Sequence, residues 1–276
     1  MIEKTDEGKI ERSKIFAGID VGVPFSKAVL IRNKEVISEG VVYSGNNYMR
    51  SAKNAFETAL EKGKVPINMV EKIVSTGCGA NLVPYENRRR PEITCQGLGI
   101  NWLVPSARSI IEIGGQMAKV ICIDEKGRAV GFDVSEKCAT GSGSILNVLG
   151  NILDVKPSEL GRLSKKGRNV TRFASSCTVF LETEVISRIS EGQRIEDIVT
   201  GVYEIISQKI FAMAKNVKIE RDCVFTGGAA VDMGLKQALE KCLGMPTGRP
   251  VNPFTTCAIG AAVAAQREEE EERMNS

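Results

Sequence analysis

Ile15-Phe16-Ala17-Gly18-Ile19-Asp20-Val21-Gly22 and, further along, Ser109-Ile110-Ile111-Glu112-Ile113-Gly114-Gly115-Gln116 are the segments whose reading decides the fold. Each is a short apolar run that closes on a carboxylate and then a glycine, and each is followed across a tight turn by another apolar run, 27–32 and 118–123. Runs of that length bounded by turn residues read as buried strands. A third strand, Cys223-Val224-Phe225-Thr226, enters Gly227-Gly228. Glycine lets backbone N–H groups approach phosphate oxygens, and a carboxylate at a strand end can hold Mg2+ or orient a water that attacks a terminal phosphate. One strand–glycine turn is a common structural device, but three in this order point to a bound nucleotide. Gly22, Gly114, Gly115, Gly227 and Gly228 are expected to line it, with Asp20, Glu112 and Gln116 ordering Mg2+ and water for hydrolysis. Lys27 reads equally well as a phosphate contact and as a charged strand end.

Outward from these turns, 35–42 reads as a further strand, 48–62 as a helix with Met49, Ala52, Phe56, Ala59 and Leu60 at helical spacing, and 72–75 as a strand. Helices are expected at 144–154, 178–192, 195–217 and 232–242, and a final alanine- and glycine-rich helix at 256–266 that should pack closely against a sheet. Because strand, acid, glycine turn and strand occur twice, the chain reads as a duplicated α/β domain. The first copy is expected over 15–108, completed by helix 256–267, and the second over 109–255. Residues 1–14 and the acidic 268–276 read as tails, the latter prolonging a helix.

Composition narrows the chemistry. The 276 residues include eight cysteines and no histidine, so serine–histidine triads, histidine-ligated zinc and imidazole acid–base catalysis are excluded within the chain. The charged N-terminus lacks an apolar signal core and no apolar run approaches a membrane span, so a cytoplasmic location with reduced thiols is expected. Net charge is +3. Arg88-Arg89-Arg90 and Lys165-Lys166-Gly167-Arg168 read as solvated loop charge rather than as a nucleic-acid surface, because no aromatic interleaving accompanies them. No Walker lysine motif is present.

No two cysteines lie close enough for a C-x-x-C ribbon. Cys138 and Cys177 stand apart because each lies just before an expected helix, where unpaired N–H groups lower a thiol pKa and favour an anionic iron–sulfur cluster. Two thiolates are half the set a cubane needs, so two chains would complete it. Spacing alone leaves that reading level with two buried small residues. Cys122, Cys223 and Cys242 fall inside apolar patterns and read as packing residues.

The order of the three glycine turns resembles the actin, hexokinase and Hsp70-like ATPase fold, which implies a nucleotide cleft between two domains. Within that fold the chain resembles the BadF/BadG/BcrA/BcrD-type family, which includes the ATP-dependent activators of 2-hydroxyacyl-CoA dehydratases and the ATPase subunits of benzoyl-CoA reductase. The likeness spans about 15–266. It is carried by Lys137-Cys138-Ala139-Thr140-Gly141-Ser142-Gly143 and by the run from Ser175 through Cys177, Phe180 and Glu184 to Ser187. Ser75-Thr76-Gly77-Cys78-Gly79, Glu92-Ile93-Thr94-Cys95, Ile113-Gly114-Gly115-Gln116 and Thr226-Gly227-Gly228 add to it.

The resemblance implies a [4Fe–4S] cluster shared by two subunits through Cys138 and Cys177, and ATP hydrolysis to ADP with Mg2+. It also implies a ferredoxin or flavodoxin donor, and an iron–sulfur dehydratase or reductase as acceptor. The partner subunit would be a second copy or a paralogous ATPase subunit. Three segments depart from the pattern. Asp20-Val21-Gly22-Val23-Pro24 lacks the usual Ser-Thr, Glu112 and Met117 replace two aspartates, and Gln96 stands where a histidine often follows the cysteine. These departures keep two alternatives open, a weakly hydrolysing subunit of a heteromeric reductase and a small-metabolite kinase of the same fold.

Overall fold

The computed structural model describes residues 14–135, 142–174 and 178–275. The chain divides into two compact units, Met1–Trp102 with Thr255–Ser276, and Leu103–Phe254.

The first unit is built on a five-stranded sheet ordered β3-β2-β1-β4-β5, from β1 (Ile15–Val21), β2 (Phe25–Arg32), β3 (Glu35–Tyr43), β4 (Val70–Thr76) and β5 (Arg88–Arg89). β1 pairs antiparallel with β2 and parallel with β4. Every residue of β1 is buried, because both faces of the strand are covered. Helix α1 (Tyr48–Gly63) supplies Ala52, Ala55, Phe56 and Ala59 to a core with Ile15, Ala17, Ile19 and Val21. On the opposite face lies α8 (Thr256–Met274), so close that a Cβ on Gly18 would stand 2.0 Å from the carbonyl oxygen of Ala258. The small-residue composition of this helix is therefore what lets it lie flat on the sheet.

An unpredicted helix, α2 (Glu92–Leu103), packs on α8. Its pattern is obscured by Gly97 and Gly99, residues that weaken a helix taken alone. Their reason is proximity: a Cβ on Gly260 would stand 1.6 Å from the Cys95 carbonyl oxygen, and one on Gly99 2.1 Å from that of Thr256. Between the two backbones the buried Gln96 amide donates to the Thr256 hydroxyl at 2.9 Å, so the residue in the histidine position is part of the helix–helix seam.

Two readings of charge need correction. Helix α8 continues through the glutamates to Met274, and Glu268, only 8% exposed, pairs with Arg90 at 2.6 Å. Glu269 and Glu272 take Lys14 and Lys72, at 2.5 and 2.6 Å, and Arg88 also reaches Glu272 at 2.7 Å. The glutamate run, which prolongs the helix as read, is a docking face for basic residues of the same unit rather than a tail without partners, and Arg88 and Arg90, though exposed, are ion-paired to it rather than loop charge without partners. The acids become apparent as partners only after β4 and β5 are placed beside the helix.

The second unit repeats the plan in a four-stranded sheet ordered β8-β7-β6-β9, from β6 (Ser109–Ile113), β7 (Ala118–Ile123), β8 (Ala129–Val134) and β9 (Cys223–Thr226). β6 pairs antiparallel with β7 and parallel with β9, as β1 does with β2 and β4. Between β8 and β9 run α3 (Ser144–Leu153), α4 (Pro157–Ser164), α5 (Thr178–Ser190) and α6 (Ile195–Val217), and α7 (Met233–Leu243) follows β9. Ile111 and Ile113 pack against Leu149 of α3 and Val202, Ile206 and Ile210 of α6. Among the described residues no helix is long and apolar enough to cross a membrane.

Candidate functional site

In the first unit, β1 ends by presenting Asp20, and the return strand β2 sets Lys27 directly opposite it. The Lys27 ammonium donates to Asp20 Oδ2 at 2.9 Å, in a pair whose side chains are 15% and 9% exposed. The parallel neighbour β4 places Thr76 beside the same aspartate, and the next residue, Gly77, sits at φ +90°, a conformation that favours glycine. The other carboxylate oxygen, Oδ1, lies 3.6 Å from where a Cβ on Gly22 would stand and 2.7 Å from one on Gly77. It therefore looks onto the glycine turn.

The second unit contains the same arrangement. β6 presents Glu112, β7 sets Lys119 opposite it, and the Lys119 ammonium donates to Glu112 Oε2 at 2.9 Å. These side chains are 7% and 13% exposed. β9 places Thr226 beside Glu112, followed by Gly227 at φ +88°. A Cβ on Gly227 would meet the Ile113 carbonyl oxygen at 2.5 Å, so the turn requires glycine twice over. Oε1 of Glu112 lies 3.5 Å from the Cβ position of Gly114. The turn itself is closed by the Gly114 N–H donating to the Met117 carbonyl at 3.0 Å. It is tied to the start of α3 by the Gly143 N–H donating to the Gly114 carbonyl at 2.7 Å.

The third glycine turn is held from below. Gly228 opens a 3-10 turn, Gly228–Val231, and Asp232 then caps α7 by accepting from the N–H groups of Gly234 and Leu235 at 2.8 and 2.9 Å. Its second oxygen accepts from the Tyr203 hydroxyl of α6. Burial and the neighbouring Asp232 carboxylate push the Tyr203 phenol far up, which keeps it a donor.

The structure thus brings Asp20 and Lys27 together beside Gly22, and Glu112 beside Gly114. Gly227 and Gly228 lie at the end of the strand next to Glu112. Gln116 is exposed at its turn, without a described contact to Glu112. None of these residues lines a separate cavity of about 350 Å3 in the second unit, bordered by Tyr203, Glu204, Gln208, Gln237 and Lys241. Sequence reading weighed Lys27 alone and missed Lys119, although both lysines follow their acid by seven positions. It likewise did not align Thr76-Gly77 with Thr226-Gly227.

In each unit taken by itself, the acid keeps one oxygen on its lysine and directs the other toward a half-buried glycine turn, an oxygen donor of the kind a hard divalent cation takes. The thiols divide differently. Burial pushes Cys95 and Cys223 up to about 12, so these two stay protonated packing residues, and partial burial also raises Cys122, Cys242 and the exposed Cys78. Among the described residues no group of three or more metal-ligating side chains gathers. Cys138 and Cys177 lie outside the described residues. The helix that follows Cys177 starts at the next residue, Thr178, and the one that follows Cys138 starts at Ser144.

Comparison with known proteins completes the picture. The model of the BadF/BadG/BcrA/BcrD ATPase family matches residues 17–265. A 2-hydroxyisocaproyl-CoA dehydratase activator from Clostridioides difficile is 34% identical over 92% of this chain and 96% of its own length. The (R)-2-hydroxyglutaryl-CoA dehydratase activating ATPase of Acidaminococcus fermentans is also 34% identical, over 91% and 96%. A subunit of the benzoyl-CoA reductase of Thauera aromatica is 29% identical over 90% and 92%. The solved Clostridium difficile activator with bound ADPNP superposes with a TM-score of 0.89 at 33% identity, covering 95% of this chain and 98% of that one. A ROK hexokinase from Thermus thermophilus, at TM-score 0.56 and 14% identity over 92% and 99%, shares the fold alone. The fold is actin/hexokinase-like, with two α/β sheets as the duplicated sequence pattern implied.

Proposed function

Because the chain belongs to the BadF/BadG/BcrA/BcrD ATPase family, we propose that it is an ATP-hydrolysing activator that delivers low-potential electrons to an iron–sulfur dehydratase or reductase acting on a CoA thioester. The observation that carries this reading is its 34% identity, over nine-tenths of the chain, to two dehydratase activators. Identity to the benzoyl-CoA reductase subunit is lower, at 29%, which favours the dehydratase type of partner.

In this reading Asp20 and Glu112 hold Mg2+ and the attacking water through the oxygens that face the glycine turns. Lys27 keeps the Asp20 carboxylate in place and meets phosphate charge. N–H groups of the turns at Gly22, Gly114 and Gly115, and at Gly227 and Gly228, take the phosphate oxygens. Gln116, exposed at its turn, orients water. Cys138 and Cys177 are this chain's half of a thiolate set for a [4Fe–4S] cluster that a second subunit completes. When bound, that cluster supplies one-electron transfer, with ferredoxin or flavodoxin as donor. Nucleotide state and cluster are then linked through helices α3 and α5, which follow the two cysteines, so that whatever ATP favours the electron-donating arrangement also favours. The protein works in the cytoplasm, beside its partner.

A weakly hydrolysing subunit paired with a paralogue is the second reading, and Met117 is the observation behind it, since that position often carries an acid in the family resembled. Anaerobically purified wild-type protein separates the two. Turnover of MgATP that falls roughly a hundredfold in Asp20→Asn supports an ATPase in its own right. Wild-type turnover no higher than that variant's supports the paralogue reading.

A further inference from the structure

The two units share more than a sheet order. In each, an acid ends the central strand, a lysine seven positions on faces it across the antiparallel pair, and a threonine faces it across the parallel pair. A glycine at φ near +90° follows that threonine. The lysine–carboxylate distance is 2.9 Å in both, although one acid is an aspartate and the other a glutamate. In both, the oxygen bound by the lysine is one member of the carboxylate, and the other points at the glycine of the turn.

A buried ion pair is a poor way to stabilise a fold, since desolvation of both charges offsets most of their attraction. Two such pairs at equivalent registers, each beside a glycine turn, call for another explanation. A carboxylate on a strand end has rotational freedom about its side chain, and glutamate has one more rotatable bond than aspartate. An ammonium fixed on the adjacent strand removes that freedom and leaves one oxygen aimed outward.

We propose that Lys119 is a positioning residue for Glu112, the second-unit counterpart of Lys27 for Asp20. Lys119 holds Oε2 so that Oε1 is presented to magnesium and water at the Gly114 turn. This rests on the hydrolytic reading above. Lys119 acts through Glu112 and does not itself bind phosphate. Its removal therefore lowers turnover without matching loss of nucleotide affinity, and its effect vanishes when Glu112 can no longer be positioned.

The test uses the full-length protein and four variants: Lys119→Met, Lys119→Arg, Glu112→Gln, and Glu112→Gln with Lys119→Met. MgATP turnover and the Kd for a fluorescent ADP analogue are measured on each. Lys119→Met should lose at least tenfold in kcat with Kd changed less than threefold. Lys119→Arg should recover most of that loss, and the double variant should be no slower than Glu112→Gln. Unchanged kcat in Lys119→Met, a Kd that weakens in step with kcat, or additive losses in the double variant would each overturn the assignment. Wild-type turnover reports separately on the hydrolytic reading. Should wild type prove inactive, the Mg2+ dependence of ADP binding is scored on the same set. Its loss in Lys119→Met and return in Lys119→Arg upholds the positioning role, and no change overturns it.

Discussion

Asp20 and Glu112 concentrate most of what individual residues contribute. Each is a buried or nearly buried carboxylate paired with a lysine, so removing the lysine takes away that counter-charge from the acid. Lys27→Met should destabilise the first unit by about 3 kcal/mol, and the double change Asp20→Leu with Lys27→Met should recover part of that loss, read by urea unfolding. The cysteines make the opposite point. With thiols pushed up to about 12 by burial, Cys95 and Cys223 should resist a thiol reagent at pH 8 in the native protein and react once it is unfolded in urea. Counting modified sites by mass spectrometry checks this. At this scale the sequence was most readable, because an acid and a glycine two residues later are a local signal. Lys119 went unread for the same reason: its meaning depends on the strand register that sets it opposite Glu112, which only the duplicated spacing of seven hints at.

Among the elements, α8 is where sequence position misleads most. Its first half is selected for thinness, letting Gly18 and Gly260 approach neighbouring backbones, and its second half for charge, pairing with Lys14, Lys72, Arg88 and Arg90. Gly260→Ala should cost about 3 kcal/mol, because the added methyl collides with the Cys95 carbonyl oxygen and α2 must move. Hydrogen bonding from Lys14 holds Glu269 below its ordinary pKa of 4.5, and hydrogen bonding from Lys72 does the same for Glu272. A lowered folded-state pKa means stability that is complete above about pH 4.5 and lost as pH falls through the lowered values. Thermal melting from pH 6 to pH 3 should therefore decline, and Glu269→Gln with Glu272→Gln should flatten that decline. Helix α2 and the pairing of the glutamate run were not legible in advance. Gly97, Gly99 and the acids are explained by partners far away in sequence, and no local pattern encodes those.

For the whole molecule, the duplicated order of strand, acid, glycine turn and strand was enough to reach two α/β units, because each half signals the same topology independently. The cluster chemistry depended on something else, the two cysteine motifs and the family they resemble. Everything distinctive in the proposed activity, as against ATP hydrolysis in general, requires that Cys138 and Cys177 be iron ligands. The direct measurement is iron and acid-labile sulfide per chain in protein purified without oxygen, for wild type, Cys138→Ala and Cys177→Ala. A [4Fe–4S] cluster shared by two chains predicts about two iron and two sulfide per wild-type chain, and almost none in either variant. Iron content unchanged in the variants, or absent from the wild type, would contradict it.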